Sequence, residues 1–200
     1  MKLNLPNKLT VLRLILVPIF VVVMMVSDAL WASITGLVLF IVASLTDMLD
    51  GKIARKYGLV TDFGKFLDPL ADKFMVIGAM LVILYGTLTA ENPHPVFAPV
   101  FFWGVLIMIF RELAVTSIRL VVSGSSGIVI AANMLGKIKT CTQIACVICC
   151  IAEPVIYGML DMGTDFLPVS LATAALMLIF TLWSGINYIV SYWKYLDPEK

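Results

Sequence analysis

Along the chain, apolar residues fall into six long runs separated by short polar breaks. Each run is close to the roughly 20 residues that an α-helix needs to cross the hydrocarbon of a bilayer. The pattern predicts helices over 9–27, 30–53, 66–88, 96–122, 130–153 and 168–193, the second and fourth running past the hydrocarbon at one end. The expected fold is therefore all-α: one polytopic membrane domain over 1–200 with six transmembrane helices. Residues 1–8, "MKLNLPNK", are too short to span and are expected to form a short N-terminal interfacial segment.

Composition sharpens this picture. Of 200 residues, 61% are hydrophobic and 14% charged, with a mean hydropathy of +1.03, whereas soluble domains average about 25% charged residues. Lys2, Lys8 and Arg13 ahead of the apolar run from Leu14 to Val26 resemble the leading part of a secretory signal. No soluble domain follows that run, so a retained first membrane helix is the expected reading.

The net charge of +1 conceals a polarised molecule. With six spans, both termini share a side with the connections 54–65 and 123–129. All the basic residues lie on that side or on the helix halves facing it, from Lys2, Lys8, Arg13, Lys52, Arg55, Lys56, Lys65 and Lys73 to Arg111, Arg119, Lys137, Lys139, Lys194 and Lys200. The opposite loops carry Asp28, Glu91, Glu153, Asp161, Asp165 and the single histidine, His94, with no Lys or Arg. The bias of basic residues toward the cytoplasm puts both termini, and whatever site the basic side carries, on the cytoplasmic face of a cell membrane. Nothing in the charge pattern suggests nucleic-acid binding. Cys141, Cys146, Cys149 and Cys150 all fall in the fifth run, where small polarizable packing residues are expected rather than metal ligands.

One stretch breaks the apolar rule. Residues 44–73, "SLTDMLDGKIARKYGLVTDFGKFLDPLADK", hold five aspartates between two apolar runs. A charge at the bilayer centre costs about 2.5–3.5 kcal/mol, so four carboxylates there would cost on the order of 10 kcal/mol. They are expected at the cytoplasmic ends of the helices, facing a wet cavity. At about 100° per residue, Asp47, Asp50, Gly51 and Ala54 share one face of the second helix, while Gly64, Asp68 and Asp72, at i, i+4 and i+8, share one face of the third. The short connection predicts antiparallel neighbours whose carboxylate pairs point at each other. Such a set repels itself unless a cation sits within it, and oxygen-only ligands favour hard ions such as Mg²⁺ or Mn²⁺. Two such ions would form a clamp for displacement at phosphorus. Gly51 and Ala54 leave room beside the acids, and Arg55 could fork onto a phosphate. Asp62 reads as a solvated loop residue or a cap.

Residues 47–72 follow the pattern D-x2-D-G-x2-A-R-x8-G-x3-D-x3-D. This resembles the signature of the CDP-alcohol phosphatidyltransferase family with every fixed position filled, and the likeness covers essentially the whole chain. The resemblance implies that Asp47, Asp50 and Asp68 bind two divalent ions, Mg²⁺ or Mn²⁺. Asp72 would complete the cluster and act as the base toward an acceptor hydroxyl. It implies that Gly51, Ala54, Arg55 and Gly64 shape a pocket for the CDP part of CDP-diacylglycerol. "PNKLTVLR" is similar to the family's opening, so that Asn7, Thr10 and Arg13 would approach the nucleotide. It further implies a homodimer among membrane lipids.

The acceptor must be read elsewhere. "FRELAVTSIR" places Arg111, Glu112 and Arg119 in the cytoplasmic half of the fourth run, and "GKIKT" places Lys137 and Lys139 near the start of the fifth. Buried membrane cations need partners, and four cations against one carboxylate leave excess positive charge. A phosphorylated acceptor would neutralise it, whereas choline would be repelled and serine would not need it. These segments resemble the branch of the family that uses sn-glycerol 3-phosphate. Lys139 is the weakest of the four, because its spacing from Lys137 turns it to another face. The alternatives are a sibling enzyme using inositol phosphate or phosphatidylglycerol, and a divalent-cation transporter. Transport would need polar residues along the outer helix halves, which read "VVVMM", "ITGLVLFIV" and "VIGAMLVILYG".

Overall fold

In a computed structural model of the chain, the described residues form six helices in order: α1 (Leu5–Val26), α2 (Leu30–Tyr57), α3 (Asp62–Thr89), α4 (Phe97–Ser126), α5 (Met134–Met159) and α6 (Pro168–Tyr192). The residues described are 4–27, 29–59, 61–90, 94–126, 134–161 and 167–193, without the side chains of Arg55, Ser125 and Ser126. Lys2, Asp28, Glu91, Asp165, Lys194, Lys200 and residues 127–129 of the 123–129 connection lie outside them. Among the described residues, four helices are long and apolar enough to cross a membrane: α1, α2 over Leu30–Ala54, α5 and α6.

The termini are set by local chemistry. Asn4 caps α1, its side chain accepting from the Asn7 backbone N–H at 3.0 Å, so 5–8 form the first turn of α1 rather than a separate interfacial segment. That turn is tied down because Pro6 and Asn7 are buried. Gly58 closes α2 in the left-handed conformation (φ 63°), with the Leu59 N–H returning 3.0 Å to the Ala54 carbonyl; this is a glycine termination that orphan carbonyls favour. Thr61, not Asp62, caps α3, accepting from the Gly64 N–H at 3.0 Å. Asp62 is an exposed first-turn residue paired with Lys65 at 2.9 Å.

α1 packs against both α2 and α3, α5 joins α2 to α6, and α4 lies against α3 and α6. α2 and α3 touch only slightly despite their short connection. The expectation that they pack as direct neighbours is therefore corrected: α1 lies between them. The shared core includes Val17, Phe20, Phe40, Met80, Phe101 and Met177, with the Phe20 and Phe40 rings 5.9 Å apart. Cys146 and Cys150 are buried in that core with free thiols 3.8 Å apart. Outward-facing positions stay apolar, Phe110 and Val190 each being 71% exposed, a surface suited to lipid rather than water.

α6 begins at Pro168 and has no side-chain cap of its own. Its first free amides go to α5 instead: Val169 N–H donates to Glu153 Oε1 (2.9 Å) and Ser170 N–H to Oε2 (2.6 Å). A buried carboxylate on exposed helix donors is favourable through both hydrogen bonding and the helix dipole. Glu153→Ala should lower stability by about 1–3 kcal/mol. Thermal unfolding in detergent or nanodiscs measures this, and an unchanged melting temperature would refute the cross-helix cap.

Candidate active site

Asn7, Thr10 and Arg13 recur every third residue along one face of α1, and all three are buried. Their partners on α3 and at its cap follow in the same order, so the two helices run parallel. Asn7 Nδ2 donates to Thr61 Oγ1 (3.0 Å), Thr10 Oγ1 to Asp68 Oδ1 (2.7 Å) and Arg13 Nη1 to Asp72 Oδ1 (2.5 Å). From α2, Asp47 Oδ1 lies 2.7 Å from Arg13 Nη1 and Asp50 Oδ2 lies 2.5 Å from Nη2. One guanidinium thus holds three carboxylates, and its own exposure is zero. Its planar fork suits this task better than a lysine would. The cluster is graded toward the outside: the Asp50 side chain is 5% exposed, Asp47 30% and Asp72 48%.

Beside Asp68 opens a cleft of about 190 Å³, lined by Asn7, Gly51, Ala54, Gly64 and Lys65 among others. Gly64 is needed for the approach of α1. A Cβ there would lie 2.9 Å from Asn7 Oδ1 and 3.3 Å from Thr61 Oγ1. The structure therefore brings Asn7, Gly51, Ala54, Gly64 and Asp68 to one cleft. Thr10 and Arg13 are buried against the carboxylates and do not line it. The Arg55 side chain lies outside the described residues. Among the described residues, no three acidic, cysteine or histidine side chains are arranged as a metal-ligand group; Asp47, Asp50 and Asp72 are turned onto Arg13.

A second charged cluster lies on the far side of α3. Lys139 of α5 donates to Glu112 Oε1, and Arg111 Nη1 reaches the same oxygen at 3.1 Å. Lys73, the residue after Asp72, donates to Thr116 Oγ1, which donates in turn to the Glu112 carbonyl at 2.6 Å. The Arg111 stem crosses Gly185 of α6, where a Cβ would lie 2.9 Å from Arg111 Cγ. Lys139 is buried and Lys137 exposed, so their spacing does put them on different faces, and Lys139 is the inward one. Arg119 is exposed and lies over the Tyr188 ring, its guanidinium 6.0 Å from the centroid. Of the expected acceptor residues, Arg111 and Lys139 meet at Glu112, while Arg119 and Lys137 stand outside that cluster.

Sequence reading missed Thr61, Lys73 and Thr116 as parts of this framework. Thr61 was legible as a capping residue ahead of a helical run. Lys73 was legible only as a neighbour of Asp72 turned about 100° away from it.

An all-α bundle with long apolar helices that gathers aspartates and a basic cluster at one end suggests a membrane protein, and comparison places it more closely. The CDP-alcohol phosphatidyltransferase profile matches residues 3–193; the chain belongs to the CDP-alcohol phosphatidyltransferase family. It is 41% identical to a Bacillus subtilis protein, with 98% of each chain covered. It is 34% identical to one from Haemophilus influenzae (94% of this chain, 93% of the other) and 33% identical to one from Salmonella paratyphi A (94% of each). All three are named CDP-diacylglycerol–glycerol-3-phosphate 3-phosphatidyltransferase.

Removing one partner from a buried ionic cluster strands the others. Glu112→Gln should therefore cost about 3 kcal/mol of stability, and Lys139→Met added to it should return part of the loss. Chemical or thermal unfolding of the single and double variants checks this; equal stability of wild type and Glu112→Gln would show that the cluster is open to water.

Proposed function

We propose that this chain transfers the phosphatidyl group of CDP-diacylglycerol to sn-glycerol 3-phosphate, releasing CMP and forming phosphatidylglycerophosphate. The observation that carries the reading is the sharing of α3 by two oppositely charged clusters. Asp68 and Asp72 face the carboxylate site around α1, and Lys73 turns to the cationic site around Glu112. Full-length relatives bearing the name of this activity support it.

Asp47, Asp50, Asp68 and Asp72 are assigned to two divalent ions, Mg²⁺ or Mn²⁺. The donor set fits: it is all carboxylate oxygen, and three of its members already converge on one cation at 2.5–2.7 Å. When bound, the ions offset charge on the donor diphosphate and on departing CMP. The remaining steps fall to the chain. The cleft formed by Asn7, Gly51, Ala54 and Gly64 receives the cytidine part, with Arg55 at the same helix end. Asp72, the most exposed of the aspartates in the Arg13 cluster, takes the proton of the acceptor hydroxyl. That oxygen attacks the lipid-linked phosphorus, and the bond to the CMP oxygen breaks. Arg111 and Lys139 hold the acceptor phosphate, with Arg119 and Lys137 at its approach.

All six helices are assigned to the membrane, with both termini and the site at its cytoplasmic face, as a single domain working as a homodimer in the cell membrane. An apolar groove of about 480 Å³ between α1 and α3, lined by Pro18, Val21, Phe74, Gly78 and Leu81 among others, lies farther along the same two helices. It suits an acyl chain that stays in the bilayer while the headgroup reacts.

Purified protein should form product from CDP-diacylglycerol with glycerol 3-phosphate, but not with glycerol, serine or inositol phosphate. Activity confined to another acceptor would overturn the assignment. EDTA should abolish turnover, with recovery on adding Mg²⁺ or Mn²⁺. Asp72→Asn should reduce kcat by about 10²–10⁴-fold while leaving the melting temperature close to wild type.

A further inference from the structure

Arg13 presents an electrostatic puzzle that neither the fold nor the proposed chemistry resolves. A fully buried guanidinium would ordinarily need one good carboxylate partner; this one has three. Both Nη atoms are engaged, and Nε is buried without a partner of its own. It is fully buried, with zero exposure. Moving it away would strand a bare charge in an apolar bundle. Arg13 is therefore part of the aspartate cluster, and Thr10, a turn earlier in α1, donates a hydroxyl hydrogen bond to the fourth carboxylate, Asp68.

Its effect follows from formal charge. Four carboxylates carry four negative charges, and with Arg13 the cluster carries three. If two divalent ions enter, the cluster becomes singly positive with Arg13 in place and neutral without it. The donor's diphosphate is an anion and gains from that remaining positive charge. The entering cations, in contrast, are repelled by Arg13 at short range.

We propose that Arg13 is the resident counter-charge of the aspartate site, a positioning residue that weakens the grip on divalent cations and strengthens the grip of the loaded site on the donor diphosphate. The inference rests on the reading of the aspartates as ligands for divalent ions. It predicts that neutralising Arg13 moves two affinities in opposite directions, whereas a merely structural residue would weaken both or neither. At an effective dielectric near 20, a unit charge a few ångströms from a divalent ion changes affinity by at least about tenfold.

The test uses full-length protein in nanodiscs, with Mn²⁺ binding followed by electron paramagnetic resonance. CDP serves as the diphosphate probe in calorimetry at saturating Mn²⁺. Arg13→Gln should bind Mn²⁺ about tenfold or more tightly than wild type and CDP about tenfold more weakly. Its melting temperature should fall in EDTA and recover in Mn²⁺. Unchanged or weaker Mn²⁺ binding by a variant that melts normally in Mn²⁺ overturns the proposal, and so does unchanged CDP binding. Arg13→Lys keeps the charge but loses the fork, and carries the test if the glutamine variant does not fold. It should bind Mn²⁺ within about twofold of wild type while melting lower in EDTA, and a tenfold tightening in it would sink the charge argument. Wild-type protein that binds no Mn²⁺ at all would instead overturn the reading of the aspartates as metal ligands.

Discussion

Everything at the reactive end of this bundle is arranged around a guanidinium buried among acids. Burying a charge is tolerated only when partners surround it with good geometry. Arg13 obtains these partners from two helices at once, Asp47 and Asp50 from α2 and Asp72 from α3. That demand sets the packing. α2 and α3 are joined by a short turn and could have packed together, yet α1 is drawn between them because only there does Arg13 reach all three carboxylates. The parallel course of α1 and α3 follows from the same face, with Asn7 and Thr10 matched in the same order to Thr61 and Asp68. Gly64 permits the approach where any side chain would meet Asn7.

The acidic half of the site was legible in the sequence because its information is local. Asp47 and Asp50, and likewise Asp68 and Asp72, lie three or four positions apart, and helical periodicity alone aligns them. Their need for a cation could also be argued from repulsion. The identity of the cation present could not. In α1, Arg13 reads as a basic residue ahead of an apolar run, like many cytoplasmic flanks, and its partners lie 37 and 59 residues away. No spacing rule within one helix reveals that its side chain turns inward onto carboxylates of two other helices. Six helices with approximate bounds were recovered, although among the described residues only four of them are long and apolar enough to cross a membrane. The place of α1 between α2 and α3 was not, since a short connection says which helices follow each other and not which ones touch.

The basic half shows a different limit. Periodicity correctly separated Lys137 from Lys139 but could not say which of the two faces the protein. The choice was made by Glu112 on α4, which supplies the only kind of partner that makes burying Lys139 tolerable. Glu153 is a parallel case. It reads as an acidic loop residue on the outer side, yet it is buried because the first amides of α6 need an acceptor and Leu167 cannot provide one. In both cases a polar residue was assigned by its sequence neighbourhood, while its burial was decided by an unsatisfied group on another helix.

The two clusters are not independent, since α3 belongs to both. Asp72 and Lys73 are consecutive, so a helix turn of about 100° sends the carboxylate to Arg13 and the ammonium to Thr116. A rigid helix thereby fixes the distance between the Asp72 carboxylate and the cationic region around Glu112. On the proposed reading, the reacting hydroxyl and the phosphate of one small acceptor must fall at these two places. The spacing is then set by backbone geometry rather than by flexible loops, as reactions that depend on orientation require. The apolar groove along α1 and α3 adds the third constraint, because it starts where the charged residues end. A donor with a charged head and greasy tails can satisfy both environments only when its phosphorus lies at that boundary, and the carboxylates stand there.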